Sequence, residues 1–327
     1  MVAPVAGAAR RAAAGLAVVL GVVTLTFCLL HLAPGDPVER LVGPAPTPEQ
    51  LAAARHALGL DRPVAAQYVA WLGRFAAGDW GRSVATGRPV RALLGEAVPA
   101  TLELIGLSLL LSYLLGIVVG VVQATVGGRV DTALSITTVT LFALPGYWLG
   151  LMLVMAFTYW GRWLPAFGAA GLDAAALSGW SLVVDRLRHL ALPLATLTLI
   201  GIGGTARFVR GAMLDVLGQP FVRTAHAKGL SPFAVSRRHV IRNALVPVVT
   251  LLGLSLPALF SGAVFVEAVF AWPGMGRQLV EAVQARDYPV VMAATAVSAT
   301  LVVLGNLVAD ATLTWLDPRL RPRRQGA

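Results

Sequence analysis

Six runs of mostly apolar residues set the tightest limit on what this chain can fold into: 12–30 (AAAGLAVVLGVVTLTFCLL), 104–126, 132–161, 190–206, 243–266 and 288–309. A hydrocarbon core about 30 Å thick takes roughly 20 helical residues to cross, and a helix satisfies its own backbone hydrogen bonds on the way. The expected fold is an all-α integral membrane protein with six transmembrane helices. Composition agrees, since 57% hydrophobic and 13% charged residues leave too few polar side chains to cover a soluble globule of 327 residues.

The formal charge of +10 would point to nucleic acid in a soluble chain, but here its distribution follows the expected crossings. Six crossings put both termini on one side. That side collects Arg10 and Arg11, Arg129, Arg207 and Arg210, then Arg223, Lys228, Arg237, Arg238 and Arg242, and finally Arg319, Arg321, Arg323 and Arg324. Only Asp131, Asp215 and Asp317 oppose them, so the positive-inside rule makes this face and both termini cytoplasmic. No nucleic-acid partner is expected. The first run follows two arginines as a signal peptide would, but it exceeds a typical signal core and HLAPGDPV after it offers no small-x-small cleavage site. Retention as the first helix is expected. The single cysteine, Cys28, allows no disulfide within the chain.

Four regions result: an N-terminal tail and first helix at 1–31, an extracytoplasmic helical segment at 32–98, a transmembrane core at 99–313, and a basic cytoplasmic tail at 314–327. In the outer segment, Thr47 is placed to cap a helix with Pro48 at its first turn, Gln50 completing a capping box and Gly59 as the stop. A second helix puts Val64, Tyr68, Trp71, Leu72 and Phe75 on one face and ends near Gly78; packing and interfacial anchoring explain its aromatics better than a ligand site.

Inside the core lies a polar, basic stretch, FVRTAHAKGLSPFAVSRRHVIRN, at 221–243. No acidic residue occurs between Val216 and Val266. Pro220 opens a helix that Gly229 stops, and Ser231 with Pro232 starts another that merges into the fifth run near Asn243. A helix this short lies across the membrane surface rather than through it. Two readings fit: an ordinary positive-inside loop, or a helix, with small residues at Ala225, Ala227 and Gly229, that docks in a partner's groove.

RTAHAKGLSPFAVSRRHVIRNALVPVVTLLG resembles the signature cytoplasmic loop of permease subunits of ATP-binding-cassette importers, in the dipeptide, oligopeptide and nickel group. The likeness runs along nearly the whole chain, through HLAPGDPV, LGLDRPVAAQY, PATLEL, MLDVLGQPFVRTA, FAWPGMGR, RDYPVV and LDPRLR. The broader family writes the loop as Glu-Ala-Ala, three residues, then Gly; aligned on Gly229 this chain has Arg223, Thr224 and Ala225, as the peptide and nickel subgroup does at the first of these, while His226 replaces a frequent arginine.

The resemblance implies a type I importer permease fold. It implies that Arg223, Thr224, Ala225, His226, Ala227, Lys228, Gly229, Leu230 and Ser231 form a coupling helix, within a loop spanning about 213–243, seated on a separate ATPase. The implied partners are a second homologous permease, two ATPase subunits or domains, and an extracytoplasmic solute-binding protein, in a bacterial or archaeal cell membrane. The implied cargo is a dipeptide or oligopeptide, with nickel or a nickel chelate as the alternative.

The rival functions fare worse. The only lysine, Lys228, sits in no P-loop, so no ATP or magnesium is expected on this chain, nor any other cofactor, and no catalysis. His31, His56, His189, His226 and His239 form no metal-ligand pair, and Glu103, Glu267 and Asp310 sit near run ends, where local pairing or solvation accounts for them. An ion-coupled transporter would carry ionisable groups near the bilayer midplane, and the centres of the six runs carry none. A membrane-embedded enzyme would need a nucleophile and base at usable spacing, which are missing. The residues lining a substrate pathway are not legible.

Overall fold

The structure, a computed structural model, describes residues 3–32, 47–59 and 61–316. The basic tail from 317 onward, with LDPRLR beyond Leu316, and all of HLAPGDPV except His31 and Leu32 lie outside the described residues. Two compact units divide the chain: Met1–Thr101 with Pro273–Leu304, and Leu102–Trp272 with Gly305–Ala327. Among the described residues every named element is a helix.

The first unit contains α1 (Ala3–Leu32), α2 (Pro48–Leu58), α3 (Val64–Ala76), the start of α4 (Val90–Val126), α11 (Met275–Ala285) and most of α12 (Tyr288–Leu316). The capping box on α2 is formed: Thr47 Oγ accepts from Gln50 N, Gln50 Oε1 accepts from Thr47 N, and Gly59 closes the helix in the left-handed region. Four of the five residues expected on one face of α3 pack together, while Val64 at its first position is exposed. Tyr68, Trp71, Leu72 and Phe75 lie against Val23 and Phe27 of α1 and Met292 and Ala296 of α12, and Tyr68 Oη meets Thr24 Oγ1 at 2.6 Å. The loop before α4 is tied to the α11–α12 junction by buried Asp287, whose Oδ2 accepts from Ser83 Oγ at 2.5 Å and from Ala85 N at 3.1 Å.

The second unit holds the remainder of α4, then α5 (Gly128–Ala143), α6 (Gly146–Leu153) continued by a π-helix (Val154–Trp160), α7 (Trp180–Leu217), α8 (Pro220–Ala227), α9 (Pro232–Val235) and α10 (Ile241–Val269). α4 and α7 cross where Gly116 and Gly120 of α4 meet Thr205, Ala206 and Val209 of α7. Small residues one turn apart let two backbones approach closely. A bidentate ion pair joins α5 to α7, with Arg210 Nε and Nη2 each 2.7 Å from a carboxylate oxygen of Asp131. Ser135 Oγ donates to the same carboxylate and accepts from the buried Gln123 Nε2, which brings α4 into the network.

Three boundaries differ from the sequence reading. α4 begins at Val90, inside the segment expected to be extracytoplasmic, because Val90, Leu93 and Leu94 are buried against Ala282, Val290 and Val291. α7 has 38 residues, about 57 Å at the helical rise, so it runs well past a core about 30 Å thick and carries Arg207 and Arg210 on the same continuous helix. The run 132–161 is two helices bent by 108°. Leu144 precedes Pro145 and takes the extended conformation that the proline ring imposes on its neighbour.

Among the described residues four helices are long and apolar enough to cross a membrane, and the bent pair makes five if it counts as one crossing. The remaining expected crossing coincides with α10, which is helical throughout, but several side chains in its middle lie outside the described residues. The bend makes crossing parity measurable. In a chain lacking Cys28, single cysteines at Arg129 and Lys228 are expected to label from one side and cysteines at His56, Asp79 and Asp173 from the other. Labelling of Asp173 from the same side as Arg129 would make the bent pair re-entrant and the six-crossing fold untenable.

Candidate functional site

The polar stretch between α7 and α10 folds as helix, turn, helix. Gln219 precedes α8 and Pro220 occupies its first turn, where its missing N–H has no cost. At the other end Gly229 N donates to His226 O at 2.9 Å and Leu230 N to Ala225 O at 3.4 Å, the two closing bonds of a Schellman motif. Gly229 has φ of +79°, which suits a residue without a Cβ. Ser231 Oγ then accepts from Ala234 N at 3.3 Å and starts α9, which passes through a π-helical turn (Ser236–Val240) into α10.

The two faces of α8 differ sharply. Val222 and Ala225, one turn apart, are buried with Val235 and Val240 against Val209 and Met213 of α7 and Ala244 and Val248 of α10. Arg223, Thr224, His226, Ala227, Lys228, Gly229, Leu230 and Ser231 are exposed. One expectation is therefore corrected: Ala225 is not available to a partner, because the i, i+3 spacing from Val222 turns it into the chain's own core. The small residues left open are Ala227 and Gly229.

Sequence reasoning missed two residues of this surface, Phe221 and Phe233. Phe233 is 75% exposed and Phe221 43%. Arg237, Arg238 and Arg242 are exposed nearby. Exposed aromatic side chains ringed by positive charge suit a groove with an apolar floor and an acidic rim.

The other candidate residues behave as structural groups. His31 Nδ1 donates to Phe27 O at 2.9 Å and His189 Nδ1 to Asp185 O at 2.8 Å, each one turn back. His56 pairs with Asp61, and that hydrogen bond holds the Asp61 carboxyl below its usual range. Glu103 receives Arg186 Nη2 at 2.5 Å. Among the described residues no three His, Cys, Asp or Glu side chains are grouped to hold a metal ion.

Residues 112–322 match the family model for the binding-protein-dependent transport system inner membrane component. The chain belongs to this permease family. Residues 8–105 match the N-terminal model of the membrane component of the same transport systems. It is 37% identical over 313 residues to an oligopeptide transport system permease of Bacillus subtilis (strain 168), which spans 95% of this chain and 98% of the relative. A di/tripeptide transport system permease of Pseudomonas aeruginosa (strain UCBPP-PA14) is 39% identical over 331 residues, 97% of this chain and 98% of that one. A probable D,D-dipeptide transport system permease of Escherichia coli (strain K12) is 38% identical over 318 residues, covering 93% and 94%. Among solved structures, an amino acid ABC transporter crystallised with histidines matches with a TM-score of 0.51 at 16% identity, over 70% of this chain and 94% of that one, and supports the fold. The permease is a multi-pass membrane protein and a transport subunit. As its family name states, it works with a binding protein.

Proposed function

We propose that this permease forms half of the translocation pathway of an ATP-driven importer for short peptides delivered by a solute-binding protein. The observation that carries the reading is near-full-length likeness to permeases named for oligopeptides, di/tripeptides and D,D-dipeptides, at 37–39% identity. Those names favour peptides over a nickel chelate. The other half of the pathway is a second homologous permease. ATP and magnesium are bound and turned over by two ATPase subunits or domains, and this chain holds no cofactor.

The exposed face of α8 and the turn to α9 is the surface on which an ATPase sits, with the N- and C-termini on the same, cytoplasmic, side. Its mechanics follow from the packing. Val222 and Ala225 fix α8 to α7 and α10, so a push on the exposed face is passed to two long helices rather than absorbed by a loose loop. Closure of the ATPases on ATP would then move α7 and α10 together, and release of the closed state would reset them.

Uptake tests the reading. In membrane vesicles loaded with the cognate binding protein, a radiolabelled dipeptide should accumulate only when ATP and this permease are both present, and unlabelled Ni(II)–histidine should not compete. Accumulation that survives deletion of the chain, or that nickel chelate abolishes while other peptides do not, sinks the peptide assignment.

A further inference from the structure

The second unit carries a half-open cavity of about 770 Å³ between α4, α5, α7 and α10. That is the range of small-molecule pockets, with room for a di- or tripeptide rather than a bare ion. Its wall is mostly apolar, Phe142 and Leu251 included, and most of its polar side chains are engaged within the chain: Ser112 Oγ donates to Thr198 O and Ser135 Oγ to Asp131. Tyr113 Oη and Ser255 Oγ are bonded to each other at 2.8 Å. Arg210 is spent on Asp131. Arg207 is different. Its guanidinium lies over the Phe142 ring at 5.2 Å from the centroid, and no described carboxylate pairs with it. The cavity therefore carries one uncompensated positive charge, and the acid that could balance it is already engaged by Arg210.

Arg207 lies just past the fourth apolar run and its side chain is exposed, so its guanidinium is open to an incoming anion. Stacking on Phe142 fixes the guanidinium plane while leaving its N–H edges open, the arrangement that receives a carboxylate through two parallel hydrogen bonds. A peptide has one such group and an ammonium at its other end, which the same charge repels.

We propose that this cavity is a binding site for the carboxylate end of the transported peptide, with Arg207 as the residue that holds it. The inference rests on the peptide reading above. It gives the peptide a direction within the permease: the C-terminus lies at Arg207 and the apolar side chains against the Phe142 and Leu251 walls.

The test uses the transporter purified with its co-purifying partners in phosphatidylcholine nanodiscs. Binding of L-alanyl-L-phenylalanine and of its C-terminal amide is followed by saturation-transfer NMR. The parent should favour the free acid by about tenfold, the scale of a charge-assisted bidentate contact. Arg207→Gln should bind acid and amide alike. Arg207→Lys should keep part of the preference, since it restores the charge without the fork. Equal binding by the parent, or a preference that survives Arg207→Gln, overturns the proposal. So does a variant that loses co-purifying phosphatidylglycerol while its peptide preference is unchanged, which would make Arg207 a lipid headgroup site. Failure of the underlying peptide reading would look different: dipeptide uptake in cells would not depend on this chain at all.

Discussion

Gly120→Leu is expected to disrupt the α4–α7 crossing and with it most of the permease's stability. A Cβ added at Gly120 would lie 2.6 Å from Ala206 O and 2.7 Å from Val209 Cβ, and one at Gly116 would lie 2.6 Å from Thr205 Cβ. Ala206 O is backbone and cannot rotate away, so the helices must separate. Overpacking of a tight contact costs about 1–3 kcal/mol for added methylenes, and a leucine brings three further carbons into the same gap. The damage does not stop at the crossing. Val209 shares its core with Met213, Val222 and Ala225, so a displaced α7 unseats α8 as well. Gly106→Leu, on the same helix with nothing within 4 Å of its Cβ position, is the control. Thermal denaturation followed by size-exclusion chromatography should show Gly120→Leu aggregating well below the parent and Gly106→Leu melting with it. If the two variants melt together, close helix approach is not what holds this unit.

The parts of this structure that could be read in advance were those with a local physical signature. Crossing length is set by the bilayer, so the apolar runs announced their helices. The turn after α8 was written in Gly229, Ser231 and Pro232, three residues with strict backbone preferences. What escaped notice depended on partners distant in the chain. The start of α4 looked polar because RALLGEAVPA carries charge and a proline, and only burial of Val90 and Leu94 on α11 and α12 makes it part of the helix. The 108° bend disappears in any average of hydropathy across Pro145. Arg207 and Arg210 read as two equivalent topogenic charges; the fold distinguishes them, because Asp131, 79 residues earlier, reaches one and not the other. The exposed face of α8 was anticipated, but Ala225 was assigned to the wrong side of it, since an alanine between polar residues carries too little apolar signal to reveal which way it points.

That misassignment changes how the surface must be tested. Ala225→Glu is expected to abolish transport, yet for a reason unconnected with any ATPase. Ala225 is only 5% exposed and its neighbours are Val222, Val235, Val240 and the apolar side of α7. The side chains packed around it are almost all apolar, and burying a carboxylate among them costs several kcal/mol. α8 should detach, and the variant should fail to purify as a monodisperse species. Phe233→Ala combined with Lys228→Glu separates folding from docking. Phe233 is 75% exposed and Lys228 lies on the open face, so neither change removes a buried side chain. This double variant should insert, purify and melt like the parent. If the α8–α9 surface is the seat of an ATPase, it should nonetheless lose co-purifying ATPase and peptide-stimulated ATP hydrolysis, because an apolar anchor is gone and a charge in the docking rim is reversed. Normal ATPase recovery and normal hydrolysis in that variant would leave the exposed face with no role beyond topology, however badly Ala225→Glu behaves.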